Sequence, residues 1–470
     1  MLCLCKNQRI MLTFNKLDDF TKVKEYMNGV NAVFSDFSQG FHSMWSDKFS
    51  LSYAVYDDTL ILCFVWRKFC FYTFPVGKNI DGALTELENY CQTNHLPLQF
   101  SPLCEKEVEY LKKRYPFTTV EYNRAWSDYI YNAEDMKYFK GKKFSGQRNH
   151  VNKFKSLYGD YEFEEITPLN LQEVISFLKE YGLNTEFLSA SQKDEYERCF
   201  LLLNDFSRLN LVGGVVRYNG QIICISIGEK VKDTLVIHVE KGYKNYQGVY
   251  QIMVSEFAKR FASEEIKFIN REDDSGNEGL RTSKMQYQPI EIMHKNHLFV
   301  STFFDKIPKN VQIIDENLKI DDITANDKST LFSLATDETL NEFWGYDYKE
   351  HLKSPPTEEY FVNFVDGLKK IKEEYSVAVR LDGKMIGEGV FHNLNFLGEV
   401  EVGLRLLPNF NGKGIGSKVF KMLATLATSL GAKKVKAKCF KQNLRSKKAL
   451  ENAGFTKTHS SDEYFYFKYN

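Results

Sequence analysis

The feature that most constrains this chain is an order of segments that occurs three times within its 470 residues. Each copy runs strand, tight polar turn, strand, strand, loop, amphipathic helix, strand. In the last copy the pieces are SVAVR from Ser376, the turn Asp382-Gly383, MIGEGVF, VEVGLRL, the loop PNFNGKG, a helix from Ile415, and KVKAKCF. The middle copy reads LVGGVVRY, Asn219-Gly220, QIICISIGEKV, TLVIHVE, the loop KGYKNYQG, a helix from Val249, and IKFIN. The first is fainter: LSYAVY, Asp57-Asp58, TLILCFVW, KFCFYTF, the loop PVGKN, a helix from Ile80, and PLQF. Polar pairs of this kind between apolar segments specify hairpins, because both turn residues tolerate positive φ. A repeat of about 170 residues has the length of a domain and far exceeds a solenoid unit. The order predicts an α/β chain with mixed (α+β) sheets, built as three related folds in tandem. Polar or Pro-containing segments near Tyr131 and Lys309 set the expected borders at 1–130, 131–308 and 309–470.

Charge narrows the partners only slightly. Lys plus Arg equals Asp plus Glu at 62 each, so no global field draws the chain to nucleic acid or an anionic membrane, and only local patches could do so. No run approaches the roughly 18 to 20 apolar residues needed to span a bilayer, and the expected location is the cytoplasm. The nine cysteines lack any C-x-x-C pair, which predicts reduced thiols and no metal site.

The loop Asn411-Gly412-Lys413-Gly414-Ile415-Gly416 follows an apolar strand and opens a helix with apolar residues at 415, 419, 422, 423, 426, 427 and 430. Glycines let backbone approach a ligand, and free N–H groups at the positive end of a helix form an anion cradle suited to a pyrophosphate. The helix should stop at Gly431, and the next strand should expose Lys434 and Lys436. A dinucleotide-binding fold would place such a loop after its first strand; here it follows a hairpin and a third strand, which disfavours that reading.

Downstream lie Asn443-Leu444-Arg445-Ser446, Leu450 and Gly454-Phe455. Together the two motifs resemble the acetyl-CoA signature of the GNAT acyltransferase superfamily. The resemblance implies three GNAT-like folds in tandem, with an acetyl-CoA-dependent N-acetyltransferase acting on a primary amine in the last. It assigns the CoA pyrophosphate to the main chain of Gly412, Lys413, Gly414, Ile415, Gly416 and Ser417, with Asn411 standing where Gln or Arg is usual. It assigns the pantetheine arm to Val402, Leu404 and Leu406, with Asn443 and Ser446 beside it. Glu401 falls where related enzymes carry a general base acting through water; its alternative is a solvated strand carboxylate. The usual general-acid tyrosine would fall at Leu450, so Tyr464, Tyr466 or solvent takes that role. Trp344 and Tyr346 are candidates for the acceptor groove, or for core packing.

The first two copies carry different signals. Lys137 to Lys155 holds seven basic residues and no acid, interleaved with Tyr138, Phe139 and Phe144. His238-Val239-Glu240-Lys241, Asn270-Arg271-Glu272-Asp273-Asp274, Gly276, Gly279-Leu280-Arg281, Lys284, Tyr287 and Pro289 follow. These resemble the C-terminal catalytic region of lysyl-phosphatidylglycerol synthases, over about Phe14 to Val300. The resemblance implies an aminoacyl-tRNA-dependent transferase or a substrate-binding module; the basic stretch either contacts tRNA through Lys142, Lys143 and Arg148 or is a solvated basic helix. His238, Glu240, Arg271 and Glu272 are the substrate-side candidates, pairing inside a cleft. The run Glu272-Asp273-Asp274 either holds a cation or, more simply, caps a helix beginning near Gly276. The middle loop keeps only Gly248, so its pyrophosphate cradle is weak.

Overall fold

The structure is a computed structural model that describes residues 12–185, 190–344, 349, 352 and 355–470. Its local geometry follows from the turns. Both central residues of all three hairpins lie in the left-handed region: Asp57 and Asp58 (φ 44° and 55°), Asn219 and Gly220 (50° and 76°), Asp382 and Gly383 (50° and 79°). That backbone twist matches the twist of the flanking strands, so each pair is locked in antiparallel register. The three helices begin at Ile80, Val249 and Ile415, as the apolar periodicity requires.

Three mixed sheets result. In the third the order is Gln312–Asp315, Leu318–Asp322, Tyr375–Leu381, Lys384–His392, Glu399–Leu406, Lys434–Phe440, Tyr464–Tyr469, Phe455–Ser460. Its one parallel step joins Glu399–Leu406 to Lys434–Phe440 and is short: Glu399 faces Lys434, Val400 faces Val435, and Glu401 faces Lys436. The second sheet repeats this step between Thr234–Gly242 and Phe268–Asn270, over Thr234 to Val236. In the first sheet the step joins Phe69–Tyr72 to Leu98–Leu103 at Tyr72 and Phe100.

The first two folds trade a strand. Asp128–Asn132 leaves the first sheet and sits between Phe268–Asn270 and Glu291–Met293 in the second. Asn296–Val300 returns from the second fold to lie between Leu98–Leu103 and Thr118–Tyr122 in the first. Each strand takes the place that Tyr464–Tyr469 occupies in the third sheet, so neither of the first two folds is one continuous stretch of chain.

The helix Ile415–Ser429 buries Val419, Phe420, Met422, Leu423, Ala424 and Ala427 against Val400, Val402 and Leu406 of the strand before it. Each fully buried large apolar side chain contributes roughly 1.5–3 kcal/mol. Gly431 ends the helix at φ 92°, the left-handed residue just past the C-cap. The helix start is therefore held in place by its own buried face. Among the described residues no helix is long and apolar enough to cross a membrane.

Candidate functional site

Gly412 and Gly414 sit at φ 75° and 78°, where a residue with a side chain costs about 1–2 kcal/mol. Among the described residues a Cβ built on either meets nothing within 4 Å, so conformation selects glycine and these residues leave the space outside the loop open. The first backbone bond at the helix start is donated by Lys418 to Gly414 O (3.3 Å), which leaves the N–H groups of Gly416 and Ser417 ahead of the ladder. Beyond Glu401 the strand leaves its parallel neighbour, while Val402, Leu404 and Leu406 stay paired on the other side with Phe391, Gly389 and Gly387. One backbone edge of Val402 to Leu406 is thus open beside the helix start, where Leu404 Cδ2 lies 3.9 Å from the Cβ position of Gly416. Asn443 caps the helix Leu444–Asn452, its carbonyl oxygen accepting from Ser446 N–H at 3.0 Å.

In the other two copies other groups reach the helix start. In the first, the Asn79 side chain accepts from Gly82 N–H (2.9 Å) at the helix start. In the second, a Cβ on Gly248 would overlap the carbonyl of His150, from the helix Ser145–Leu157. The Tyr250 hydroxyl also occupies the strand edge, accepting from Gly242 N–H (3.1 Å) and donating to Gly242 O (2.9 Å).

Glu401 is the last parallel-paired residue, on the sheet face opposite the helix Ile415–Ser429. Its carboxylate accepts from Asn393 Nδ2 (2.9 Å) and lies 3.6 Å from His392 Nε2 and 3.9 Å from Lys438 Nζ. Burial pulls the His392 imidazole below its ordinary value, against the pull of Glu401, so at neutral pH it is an uncharged imidazole. Lys438 Nζ also lies 5.3 Å from the Tyr464 ring, which packs on Phe440 at 4.4 Å. Glu401 and Tyr464 are therefore neighbours of one lysine. Leu450 is wholly buried in the core. Trp344 stands over the Arg405 guanidinium (4.6 Å), and Arg405 pairs with buried Glu388 at 2.6 Å. Burial, with the Glu388 charge, pushes Glu374 up to about 7. Tyr346 lies outside the described residues. His392 was missed in the sequence because only strand register sets it opposite Glu401.

In the first two folds the four substrate-side candidates form two pairs, with His238 buried and Glu240, Arg271 and Glu272 half-buried. His238 Nδ1 meets Glu272 at 2.7 Å and Nε2 meets Glu229 at 3.0 Å; Arg271 Nη2 donates to Glu240 at 2.9 Å. Glu229 also accepts from Gly40 N–H (2.6 Å), on the short helix Gln39–Trp45 of the first fold. Arg271 lies 4.6 Å over the Tyr287 ring, and its Nη1 is buried with no hydrogen-bond partner among the described residues. The acidic run does not cap a helix as expected. Asn277 caps Glu278–Gln286, accepting from Leu280 N–H, while Asp274 is spent on Tyr129 (2.6 Å), Arg281 (2.8 Å) and Gly276 N–H (2.9 Å).

Residues 29–295, more than half of the chain, match the family model of the phosphatidylglycerol lysyltransferase C-terminal region. The chain belongs to that family. Residues 317–456 match an acetyltransferase (GNAT) domain, so this member of the lysyltransferase C-terminal family also carries an acyltransferase domain. Among curated proteins none matches the sequence. Among solved structures, a conserved protein of unknown function from Bacteroides thetaiotaomicron is similar at 29% identity and TM-score 0.59, over 62% of this chain and 100% of that one. L-PGS from Bacillus licheniformis is similar at 14% identity and TM-score 0.42, over 60% and 91%. A GNAT-family acetyltransferase from Bacillus anthracis is similar at 19% identity and TM-score 0.29, over 34% and 97%.

Within the lysyltransferase-family region the basic stretch is partly structural. Lys143 pairs with Asp135 (2.9 Å), and Arg148 donates to the carbonyls of Phe139 and Gly141. Phe139 and Phe144 are buried, which leaves Tyr138 as the exposed ring of the three, beside exposed Lys142.

Proposed function

We propose that residues 309–470 form an acetyl-CoA-dependent N-acetyltransferase acting on a primary amine, in a cytoplasmic protein. The observation that supports this best is the difference between the three copies. Among the described residues, the helix start at Ile415 and the strand edge beside it are the ones that no side chain or neighbouring helix fills. A diphosphate on the N–H groups ahead of the Lys418 bond and an amide-bearing arm along Val402 to Leu406 fit those donors and acceptors.

Acetyl-CoA supplies a thioester: the amine nitrogen bonds to its carbonyl carbon, the carbon–sulfur bond breaks, and the thiolate takes up a proton. Glu401 accepts the amine proton, directly or through one water, with neutral His392 beside it to share that proton. Tyr464, whose ring lies 5.3 Å from Lys438 Nζ, returns a proton to the leaving sulfur. Trp344 and Arg405 wall the acceptor side. Calorimetric titration of the full chain with acetyl-CoA tests the reading. Micromolar binding is expected, and no heat up to millimolar cofactor would sink it.

A second reading, that residues 1–308 move an aminoacyl group or hold a substrate, is favoured by Arg271, whose buried Nη1 lacks an acceptor among the described residues beside Glu240. It predicts tRNA binding that falls steeply with salt and weakens in Lys142→Ala/Lys143→Ala. Salt-independent binding would count against it.

A further inference from the structure

The half of the C-terminal sheet beyond Glu401 presents a face with an unusual composition. On Lys434–Phe440 the burial alternates, with Lys434, Lys436 and Lys438 exposed and Val435, Ala437 and Cys439 in the core. Register then places Lys468 opposite Lys436, Tyr466 opposite Lys438, and Tyr464 opposite Phe440. The next strand sets His459 opposite Tyr466, the two rings parallel within 3° at 4.3 Å. The helices Ile415–Ser429 and Leu444–Asn452 pack through the opposite face, where Ala437, Cys439 and Phe467 join their core.

Two lysines directly opposite on neighbouring strands repel, and side chains prefer other partners there. Glu399 relieves only part of this charge, bridging Lys434 (2.7 Å) and Lys436 (2.5 Å). Among the described residues Lys468 has no acidic partner. An anion lying along the strands would remove the repulsion. The interleaved rings restrict its kind: Tyr464, Tyr466 and His459 are partly to fully exposed on this face and offer flat surfaces between the charges. Bare phosphate or an acidic peptide uses the lysines but leaves the rings unused, whereas a strand of nucleotides uses both.

We propose that this open face binds a single-stranded nucleic acid, with phosphates on Lys436, Lys438 and Lys468 and bases stacked on Tyr464, Tyr466 and His459. The face runs without a break into Glu401 through Lys438, 3.9 Å away. Resting on the acetyltransferase reading, it therefore makes the acceptor an amine carried on a nucleic-acid strand. Polycationic amines are disfavoured by the same lysines. The basic stretch of the lysyltransferase-family region is the weaker candidate for this role, since two of its three rings lie in the core.

The test is fluorescence anisotropy of the full chain with a labelled single-stranded RNA 12-mer at two salt concentrations. The wild type should bind, more weakly at the higher salt, and a duplex of the same sequence should bind less well because its bases are stacked away. Tyr466→Ala/Lys468→Glu should weaken binding at least about tenfold, since one stacked base alone is worth about 1–3 kcal/mol. Tyr466→Phe/Lys468→Arg should keep it, which separates recognition from misfolding. Acetyl-CoA binding should be unchanged in both variants, so the two readings fail separately. RNA affinity equal to wild type in Tyr466→Ala/Lys468→Glu, or loss confined to Lys142→Ala/Lys143→Ala, would overturn the proposal. So would sedimentation showing that the face instead pairs two copies of the chain.

Discussion

The buried His238 makes a quantitative demand on stability. Its two ring nitrogens meet two carboxylates, Glu272 at 2.7 Å and Glu229 at 3.0 Å, and its side chain is wholly inaccessible. A neutral imidazole has one N–H to donate; only the imidazolium serves both partners. Burial works against that charge, but the bonds to Glu229 and Glu272 outweigh it and raise the ring from 6.5 to about 9. The folded pKa is above the unfolded one, so the stabilisation is complete below about pH 6.5 and is lost as pH rises through about 9. Between those limits the folded state holds a proton that the unfolded state sheds, worth about 1.4 kcal/mol per pH unit and about 3 kcal/mol in all. For an N-terminal unit of about 280 residues the unfolding entropy is roughly 0.6 kcal/mol/K, which converts the loss to about 5 °C in Tm. The assay is calorimetric melting from pH 6.5 to 9.5 of wild type and Glu229→Gln/His238→Gln, which shares every other titrating group. The gap between them should change by about 5 °C in the direction of a less stable wild type at high pH. A gap constant within about 1 °C would refute a charged His238.

Other perturbations separate the remaining parts. Glu401→Gln should lower turnover of a small primary amine by about 10²–10⁴-fold, read as CoA thiol release, with acetyl-CoA affinity unchanged. Gly414→Val should weaken acetyl-CoA binding at least about tenfold by titration calorimetry, since a β-branched residue resists φ 78° by about 1–2 kcal/mol and puts a side chain into the open space outside the loop. Arg405→Met strands the buried Glu388 carboxylate and should destabilise the C-terminal unit by about 3–5 kcal/mol in denaturant melts; Arg405→Met/Glu388→Leu should recover most of it. Gly40→Ala drives a methyl into the His238 ring and should lower the N-terminal Tm by several degrees.

Local features were legible because local chemistry sets them. The turns Asp57-Asp58, Asn219-Gly220 and Asp382-Gly383, the helix starts at Ile80, Val249 and Ile415, and the stop at Gly431 each depend on a few neighbouring residues. What required pairing across the chain was not. The expected border near Tyr131 falls inside Asp128–Asn132, and nothing in DYIYN says that its partners are Phe268–Asn270 and Glu291–Met293, far along the sequence. His392 and Lys438 meet Glu401 only through register. The run Glu272-Asp273-Asp274 reads most simply as a cap because acids are favoured before a helix; its last member, Asp274, buried beside Tyr129, Arg124 and Arg281, has stronger claims on its oxygens.

The exchanged strands have a consequence for how such a chain can be cut, shuffled or inherited. Removing either of the first two folds takes a strand out of the middle of its neighbour's sheet and leaves two rows of unpaired backbone groups. The pair is thus one indivisible cassette that a gene fusion can carry only whole. A ribosome must also release Asn296–Val300 before the sheet begun at Asn15–Lys16 can close.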